Sequence, residues 1–465
     1  MRSERTILLG AEIGSIVVML LVLLAAQPTN LVRPMRPEVY DVPLRDGVAS
    51  TSQTVAEGDP IVIGSDNDFL VQGWPGKGTP DDPYVISGLT IVSSGICIDI
   101  RDTSSYFAIA DCCFSAVDDA GVGIRLVNVT NGLVKSVNIT SKYTAILLSE
   151  CVACTVLGAE VSACNQGVFL EKCNSCTVSR SAIHDVPNQA IHCYECDRIT
   201  LSSLRVTRND DAISLHSCVG CTIRDCTMRD HLDTGAHLYF TMNCTMLNCS
   251  VLNTYNMGAY VHGSSNWTIA NCTISGSKYH GLYIERCFRM LIANSTISRH
   301  RWSGIYLRES DNCSILDSTI EHNNRTGLFF SIDSDNNTAM GNVLRLNLET
   351  NGRDDGHDNR WDDGVSRGNS WSDYNGSGSY TIPGSAQAVD HFPSSSDGDG
   401  DGLSDWEEAI LGSDPDDPAD PPPSAHVLSL VYVGGMAFSV IGIAVAVWRV
   451  YGRRSSPRTA LPYLD

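Results

Sequence analysis

The sequence predicts an all-β fold, a right-handed parallel β-helix solenoid. Ten positions between Gly123 and Gly327 are spaced 22 or 23 residues apart, and each begins a short segment such as "GIRL" or "GLYI". The residues one and three places after each start are nearly all apolar, whereas the residue between them varies, which is the period of a half-buried strand. A second strand-like segment such as "CTVLGAEV" follows in many repeats, without any long helical period. One coil of about 22 residues with two or three strands is typical of a parallel β-helix.

The composition indicates a folded protein rather than a disordered chain. Of the 465 residues, 43% are hydrophobic and 18% are charged, a balance that supports a buried core. The 53 acidic residues outnumber the 32 basic residues and give a formal net charge of −21. Binding to nucleic acid through its phosphates needs the opposite sign, so the charge excludes nucleic acid as a partner.

The N-terminus has the features of a targeting segment. Two arginines precede an apolar run from Ile13 to Ala26 that ends in small residues, which is typical of a secretory signal peptide. An uncleaved anchor is the alternative, because the apolar region is long enough to span a bilayer if Glu12 is tolerated. We assign residues 1–30 to a signal peptide or N-terminal anchor and residues 31–60 to a linker.

Segments rich in Gly, Pro, Asp and aromatic residues flank the repeats, at residues 66–91 and 359–393. Such a composition indicates ordered turns, and a solenoid needs polar caps at its open ends. The predicted β-helix therefore has three parts. They are an N-terminal cap with the first coils, the regular coils and a C-terminal cap, at residues 61–122, 123–345 and 346–395.

The chain has 18 cysteines, and two pairs, Cys151–Cys154 and Cys173–Cys176, have the spacing of a zinc knuckle. In the repeat register, however, many cysteines fall into columns six, nine or fourteen residues after a repeat start, where other coils have Ser, Ile, Met or Trp. Such shared columns favour a packing role, because a free cysteine behaves as a small buried hydrophobe. Disulfides and a zinc site are the alternatives.

Two motifs beside the repeats resemble those of a known family. The stretch "GTPDDPYVISGLTI" enters the coils, and "GNSWSDYNGSG" followed by "VDHFP" leaves them. Together with the coil length, they are similar to archaeal cell-surface proteins with NosD-type right-handed β-helices, over roughly residues 61–393. The resemblance implies the fold and not one function. The wider β-helix superfamily includes carbohydrate-binding modules, glycoside hydrolases, polysaccharide lyases and a copper-enzyme maturation factor.

Four consecutive coils carry an aromatic residue two places after the repeat start, namely Tyr260, Tyr283, Tyr306 and Phe329. This position faces outward, so the four rings should form a ladder on one exposed sheet face. Aromatic rings offer a large apolar surface that suits sugar rings, and an exposed patch of this kind indicates contact with a ligand. The sequence therefore predicts a binding surface for glycans or envelope polymers. A purely stabilising stack is the alternative.

Histidines on the same face suggest a metal site. His192, His216, His237 and His262 lie on four coils, and imidazole suits copper and zinc. The four histidines alternate between two positions on neighbouring coils, so their rings are diagonal to one another. Their nitrogen atoms would have to extend far to bind one metal ion. A copper accessory role like that of NosD is accordingly the second alternative function.

The candidate catalytic residues lie in and after the stretch "RNDDAISLHS". Asp210 and Asp211 precede one strand, and Asp233 precedes the next strand, which carries His237. Adjacent coils can bring these side chains together, and paired carboxylates hydrolyse glycosidic bonds. The stretch is similar to the aspartate-pair motif of polygalacturonases but lacks their Gly-His-Gly and Arg-Ile-Lys elements. Aspartates that only cap local turns are the alternative.

The stretch "DGDGDGLSDWEE" matches a twelve-residue calcium loop. Its predicted ligands at positions one, three, five, seven, nine and twelve are Asp397, Asp399, Asp401, the carbonyl of Leu403, Asp405 and Glu408. The stretch resembles the thrombospondin type 3 or dockerin version of the loop. Ten acids and no Lys or Arg occur from Asp397 to Asp420, and such a run repels itself without cations. We predict a calcium-binding acidic stalk at residues 396–423, and a solvated acidic linker is the alternative.

The C-terminal region predicts a membrane anchor. Residues 427–448 carry no charge and can cross a bilayer as a helix. Arginines follow this run, and positive flanks stay in the cytoplasm. We assign residues 424–450 to a transmembrane helix and residues 451–465 to a basic cytoplasmic tail, which places the body outside the cell.

Three functions follow from these observations. The first is a membrane-anchored surface protein that binds glycans or envelope polymers, or that serves as a structural module. The second is an enzyme that cleaves polysaccharide, either a hydrolase or a lyase. The third is the copper accessory role. The fold alone cannot choose among them.

Overall fold

The computed structural model describes residues 61–420, and these residues form the predicted parallel β-helix. The predicted signal or anchor, the linker, the membrane helix and the basic tail lie outside the described residues. Within residues 61–420, no helix is both long enough and apolar enough to cross a membrane. Three parallel sheets run along the solenoid, and neighbouring strands in each sheet come from successive coils.

Sheet 1 has thirteen strands and carries the outward columns considered below. Its strands are Ile61–Ile63, Ile96–Thr103, Val122–Val129, Thr144–Ser149, Gln166–Glu171, Ile191–Tyr194, Ile213–His216, Ala236–Tyr239, Ala259–His262, Leu282–Glu285, Ile305–Arg308, Thr326–Phe330 and Thr350–Asp354.

Sheet 2 has twelve strands. They are Tyr84–Ser87, Phe107–Ala110, Gly132–Lys135, Thr155–Leu157, Thr177–Ser179, Thr200–Ser202, Thr222–Arg224, Thr245–Leu247, Thr268–Ala270, Leu291–Ala293, Ser314–Leu316 and Thr338–Met340.

Sheet 3 has fourteen strands. They are Thr90–Val92, Cys113–Ser115, Asn138–Thr140, Glu160–Ser162, Ala182–His184, Arg205–Thr207, Thr227–Arg229, Ser250–Leu252, Thr273–Ser275, Thr296–Ser298, Thr319–Glu321, Val343–Arg345, Ser370–Trp371 and Ser394–Ser395. Its last two strands lie inside the predicted C-terminal cap, so the solenoid continues beyond residue 345. Longer loops between these strands interrupt the 23-residue period and hide them from a repeat count.

Left-handed turn residues close each coil between the short strands. At the corner between sheets 2 and 3, Asn248, Asn271 and Asn294 have φ values of 54°, 54° and 48°. Asparagine tolerates this region better than most residues, because its short polar side chain bonds locally. These corners turn the chain within one residue and keep successive coils in register.

The core consists of inward-facing columns of like residues. Ile274, Ile297 and Ile320 stack on successive strands of sheet 3 and are fully buried. All 18 cysteines are free thiols, and every one except Cys113 is buried. Their sulfurs reach backbone carbonyls, as in the contact of 3.5 Å from Cys173 to Leu148. This arrangement agrees with the packing interpretation of the cysteine columns.

Aromatic side chains fill both ends of the solenoid. Helix α1, Asp66–Val71, buries Phe69 at the N-terminal end, where its ring stacks on Tyr84 at 4.6 Å. At the other end, the buried indoles of Trp361 and Trp371 pack 5.7 Å apart. A two-stranded antiparallel ribbon, Tyr380–Thr381 with Val389–Asp390, lies at this end, where Tyr380 stacks on Trp371 at 4.1 Å.

Candidate functional sites

The outward column of sheet 1 aligns the predicted ladder. Paired positions on successive strands carry Phe169, His192, Ser214, His237, Tyr260, Tyr283, Tyr306 and Phe329. The ring centroids of Tyr260 and Tyr283 lie 5.2 Å apart, those of Tyr283 and Tyr306 lie 5.4 Å apart, and the planes are nearly parallel. Phe329 continues the stack at 4.9 Å from Tyr306.

The ladder rings cover one another, which differs from the expectation that their faces meet sugars. His237 stacks on the free side of Tyr260 at 5.5 Å, and the guanidinium of Arg353 lies 5.0 Å over Phe329. Because coils repeat at the strand spacing of about 4.8 Å, adjacent rings fill the space that a stacked sugar needs. The ladder therefore presents the edges of its rings, and not their faces, on this side of the sheet.

Ser214 interrupts this column. It lies in register between His192 and His237, where its small side chain provides no ring. On one side His192 stacks on Phe169 at 5.0 Å, and on the other His237 stacks on Tyr260. The result is a gap one coil wide between two imidazoles, which we call the Ser214 gap.

The predicted catalytic residues gather beside the Ser214 gap. Asp211 is buried, and its Oδ1 accepts a hydrogen bond of 3.1 Å from the backbone N–H of Thr234. Its Oδ2 lies 3.4 Å from Nδ1 of His237. The other ring nitrogen of His237, Nε2, is shielded from solvent and has no hydrogen-bond partner among residues 61–420. A carboxylate thus orients an imidazole that has an unused nitrogen.

Asp210 and Asp233 lie on adjacent coils next to this pair. The backbone N–H of Asp233 donates to the carbonyl of Asp210 at 3.0 Å, and its carboxylate accepts a bond of 2.6 Å from Asn256. Burial, and then the negative charges of Asp211 and Asp233, raise the pKa of Asp210. A carboxyl group with a raised pKa retains its proton longer and can act as a general acid. Two adjacent coils therefore bring all four predicted residues together.

A second network on sheet 1 centres on Glu285. Its Oε2 accepts hydrogen bonds from the Tyr260 hydroxyl at 2.5 Å and faces Nδ1 of His262 at 3.1 Å. Arg308 forms an ion pair of 3.2 Å with Oε1. Burial by itself would raise the pKa of Glu285, but the contacts from Tyr260, His262 and Arg308 lower it. The network fixes the hydroxyl of Tyr260, and Arg308 also donates to the hydroxyl of Tyr283 at 3.4 Å.

The turn before sheet 1 forms a column that sequence reasoning missed. Two residues before each repeat start, successive coils carry Asp210, Asp233, Asn256, Tyr279, Trp302 and Arg325. The guanidinium of Arg325 lies 4.5 Å over the Trp302 ring. His280, which is buried, stacks on Tyr306 at 5.1 Å and meets Trp302 edge to face at 5.2 Å. We call this set the turn column, and His280 joins it to the ladder.

The acidic loop has the geometry that a cation site needs. The carboxylate oxygens of Asp397, Asp399 and Asp401 lie within 4.8 Å of one another. Backbone N–H groups of Gly400 and Leu403 donate to Asp397 and Asp401, each at 2.8 Å, and hold the loop closed.

Glu408 is independent evidence that this loop binds a cation. It is fully buried, and neither carboxylate oxygen has a hydrogen-bond partner within the described part of the chain. Burial, and then the charges of Asp399 and Asp401, raise the pKa of Glu408 to about 7. A buried carboxylate of this kind needs a compensating charge. These residues fit a calcium ion, which prefers carboxylate oxygen.

Asp405, the predicted ligand at position nine, bonds Arg345 instead of joining the aspartate triad. Its two oxygens face Arg345, with Nε at 3.1 Å from Oδ2 and Nη2 at 3.2 Å from Oδ1. Ser396 and the backbone of Gly398 donate to the same carboxylate. The guanidinium therefore directs Asp405 away from the aspartate triad. Asp405 is the first residue of helix α2, Asp405–Leu411.

The donor groups do not converge on a copper site. The rings of Tyr194 and Tyr239 flank His216, with centroids at 5.2 Å and 6.3 Å. Tyr239 likewise lies against His262 at 5.1 Å. Over residues 61–420, the aspartate triad is the one group of three potential ligands whose donor atoms lie close together. The described histidines and cysteines therefore do not fit a preformed copper centre.

Several solved structures are similar to this chain. The periplasmic alginate epimerase AlgG, as a D317A mutant, has a TM-score of 0.50 at 13% identity, over 60% of this chain and 77% of that chain. The mannuronan C-5 epimerase AlgE6 A-module of Azotobacter vinelandii has a TM-score of 0.39 at 11% identity, over 70% and 91% of the chains. The DFA-IIIase of Arthrobacter chlorophenolicus A6 has a TM-score of 0.39 at 9% identity, over 50% and 80%.

At these identities, the similarity to AlgG shows the fold and does not assign a function. No curated protein matches the chain significantly in sequence. One family model does match, and it covers the coils with the Ser214 gap, the turn column and the whole ladder. Residues 183–376 match the NosD family, described as "Periplasmic copper-binding protein (NosD)", and the resemblance to a NosD-type β-helix is thereby confirmed for this part of the chain.

Proposed function

We propose that the protein binds a polysaccharide chain along sheet 1 and the adjoining turn column. The observation that carries this proposal is the run of aromatic and ionisable side chains from Phe169 to Phe329 on one face, which only Ser214 interrupts. Eight strands at about 4.8 Å give a run of about 34 Å. A long, narrow and polar-edged surface suits an extended polymer better than a small molecule, which favours an enclosed pocket.

The proposed setting is the cell surface, with glycans or envelope polymers as partners. The match to a family described as periplasmic supports a body outside the cytoplasm. The uncharged run at residues 427–448 supports a single-pass anchor with a cytoplasmic C-terminus. The protein would then present its β-helix to polymers of the envelope.

Calcium is the proposed cofactor. The aspartate triad and the unpartnered Glu408 support an ion in the acidic loop. Bound calcium neutralises charges that otherwise repel one another and supplies the partner that Glu408 lacks. Its role would be structural, because the loop stands apart from the Ser214 gap by sequence and by sheet.

A second candidate function is polysaccharide cleavage at the Ser214 gap. The raised pKa of Asp210 favours it, because a protonated carboxyl group can donate to the glycosidic oxygen. A second carboxylate, Asp233 or Asp211, would activate the water that completes hydrolysis. His237, held by Asp211, would pack against the sugar beside the broken bond.

The test separates binding from cleavage. Full-length protein in detergent, with calcium, is incubated with a panel of polysaccharides, and bound polymer and released products are measured by affinity electrophoresis and mass spectrometry. Binding without fragments supports the first function. New oligosaccharides that disappear in Asp211→Ala, while binding persists, support the second. Neither binding nor fragments with any polymer would overturn both.

A further inference from the structure

We infer that the basic end of the turn column is a subsite for an acidic sugar, so that the bound polymer is a polyanion with carboxylate or sulfate groups. This inference rests on the proposed polysaccharide binding and names the class of polymer. The inference is based on a change in the sign of the charge along the turn column, which is not needed for the β-helix fold or for the ladder.

The charge changes sign from one end of the turn column to the other. The column begins with Asp210 and Asp233 and ends with Arg325, at constant steps of 23 residues. The adjacent column, one residue earlier in each coil, contributes Lys278 and Arg301 in its later coils. From Asp233 to Arg325 there are four coil steps, which span about 19 Å.

The cations at the basic end are available to an external anion. Lys278, Arg301 and Arg325 are exposed, and no carboxylate of residues 61–420 lies within ion-pair distance of them. By contrast, Arg286 on the neighbouring surface forms an ion pair of 2.7 Å with Glu309. In a chain with a net charge of −21, a group of unpaired cations on one face is selective for negative ligands.

Aromatic rings hold two of these cations in place. The ammonium group of Lys278 lies 3.9 Å over the ring of Tyr255, one coil earlier, and Arg325 lies over Trp302 in the same relationship. Cation–π contacts orient the charged groups without neutralising them. The exposed rings of Tyr255 and Tyr279 offer apolar surface between the cations. Tyr279 and Trp302 are tilted by 51°, so these two rings do not close on each other as the ladder rings do.

An acidic polysaccharide fits this pattern better than a nucleic acid. A nucleic-acid strand carries a phosphate at every step, and several of these would face Asp210 and Asp233. An acidic sugar carries neutral hydroxyl groups on the same ring as its charged group, so carboxylates can accept hydrogen bonds from the hydroxyls while aromatic side chains contact the ring. The acidic end can therefore bond sugar hydroxyls while the basic end binds the charged group.

The test compares a polyuronate with its neutral ester. Binding of the full-length protein to polygalacturonate, alginate and chondroitin sulfate is measured by affinity electrophoresis, together with methyl-esterified polygalacturonate and duplex DNA. We expect the acidic polymers to bind more tightly than the ester and DNA. The double variant Lys278→Ala, Arg325→Ala should weaken polyanion binding by about tenfold or more, because two charge-assisted contacts are lost. Binding of the ester should stay unchanged.

The matched control is the pair Phe288 and Arg289, which forms the same kind of contact at 4.8 Å on another turn. Arg289→Ala should leave polyanion binding unchanged. Thermal unfolding checks that the exposed substitutions do not disturb the coils. Equal binding of acid and ester, an equal effect of Arg289→Ala, or preferential binding of DNA would overturn the acidic subsite while leaving polysaccharide binding intact. Absence of binding to every polymer, neutral ones included, would instead overturn the proposed function.

Discussion

The guanidinium of Arg345 contacts the carboxylate of Asp405, 60 residues further along the chain, through two hydrogen bonds of 3.1 Å and 3.2 Å. Arg345 is on a late strand of sheet 3, and Asp405 begins α2. Arg345 also bonds Glu321 at 3.1 Å and Asp416 at 2.8 Å. One buried cation thus joins the acidic segment to the solenoid. The sequence predicts the calcium-binding acidic stalk at residues 396–423 but not this attachment to the late coils.

We predict that Arg345→Met releases the acidic segment. Removing one partner of a buried ion pair leaves uncompensated charge, which costs about 3–5 kcal/mol. Hydrogen exchange of residues 397–420 should increase strongly, while exchange in coils near Tyr260 stays slow. The control is Arg224→Met, which breaks the exposed pair with Asp225 at 2.8 Å and should cost about 1 kcal/mol or less. Equal hydrogen exchange of residues 397–420 in both variants would contradict the role of Arg345 in holding the acidic segment.

Calcium binding should depend on pH through Glu408. In the calcium-free fold, the pKa of Glu408 is raised from 4.5 to about 7. A raised carboxyl pKa favours the protonated form, so this group's contribution to stability is present below pH 4.5 and is lost as the pH rises through 7. Calcium binds the ionised form, so its affinity should fall below pH 7, and binding at neutral pH should release a proton.

Calorimetry in buffers with different ionisation enthalpies measures this proton release. Glu408→Gln should bind calcium weakly and release no proton. The control is Glu407→Gln, because the Glu407 side chain caps α2 through Ser404 and an amide can still accept that bond. A proton release that persists in Glu408→Gln would show that the proton comes from another group.

Local and periodic features of this chain were predictable, and long-range partners were not. The ladder from Tyr260 to Phe329 follows from a fixed step, and the calcium loop is contiguous, so both appear in the sequence. The turn column escapes a repeat search because its members, from Asp210 to Arg325, share no residue type. Asp405 has the right loop position, but Arg345 directs it elsewhere, and no periodicity relates the two residues.

Substitutions in the ladder should change stability more than binding. Tyr283 stacks between Tyr260 and Tyr306, and each aromatic pair contributes about 0.5–1.5 kcal/mol beyond burial. Tyr283→Ala should lower the free energy of unfolding by about 1–3 kcal/mol, while Tyr283→Phe, which retains the ring, should cost less than about 1 kcal/mol. Chemical denaturation checks both variants. A larger loss of polymer binding in Tyr283→Ala than in Trp302→Ala would show that the ladder contributes more to binding than the turn column does.

Thiol reactivity should identify Cys113 alone in the native protein. Cys113 is exposed, whereas the other cysteines are buried. Burial also raises the pKa values of Cys164 and Cys287 to about 11, and the thiolate is the reactive form. Iodoacetamide at pH 8 should label one site, read by mass spectrometry, and Cys113→Ser should remove it. Denaturant should then expose the remaining thiols. Native labelling at Cys173 would mean that the coils open.

The acid pair at the Ser214 gap gives the last prediction. Burial first, and then the charges of Asp211 and Asp233, raise the pKa of Asp210 in the fold. This group therefore stabilises the fold most below its unfolded pKa of about 4, and the contribution is lost as the pH rises through its folded pKa. Asp233→Asn removes one repelling charge, so stability should fall less steeply above pH 4 than in the natural protein.

Thermal unfolding at a series of pH values measures this difference. In the Asp210→Asn background, adding Asp233→Asn should change the pH dependence of stability little. Asp210, the group that senses the charge of Asp233, no longer titrates there. Asp225→Asn, at an exposed turn on another corner, serves as the control for losing one acid. A slope that Asp233→Asn leaves unchanged in the natural background would mean that the two carboxyls do not sense each other. The raised pKa that favours Asp210 as a general acid would then come from burial and from Asp211 alone.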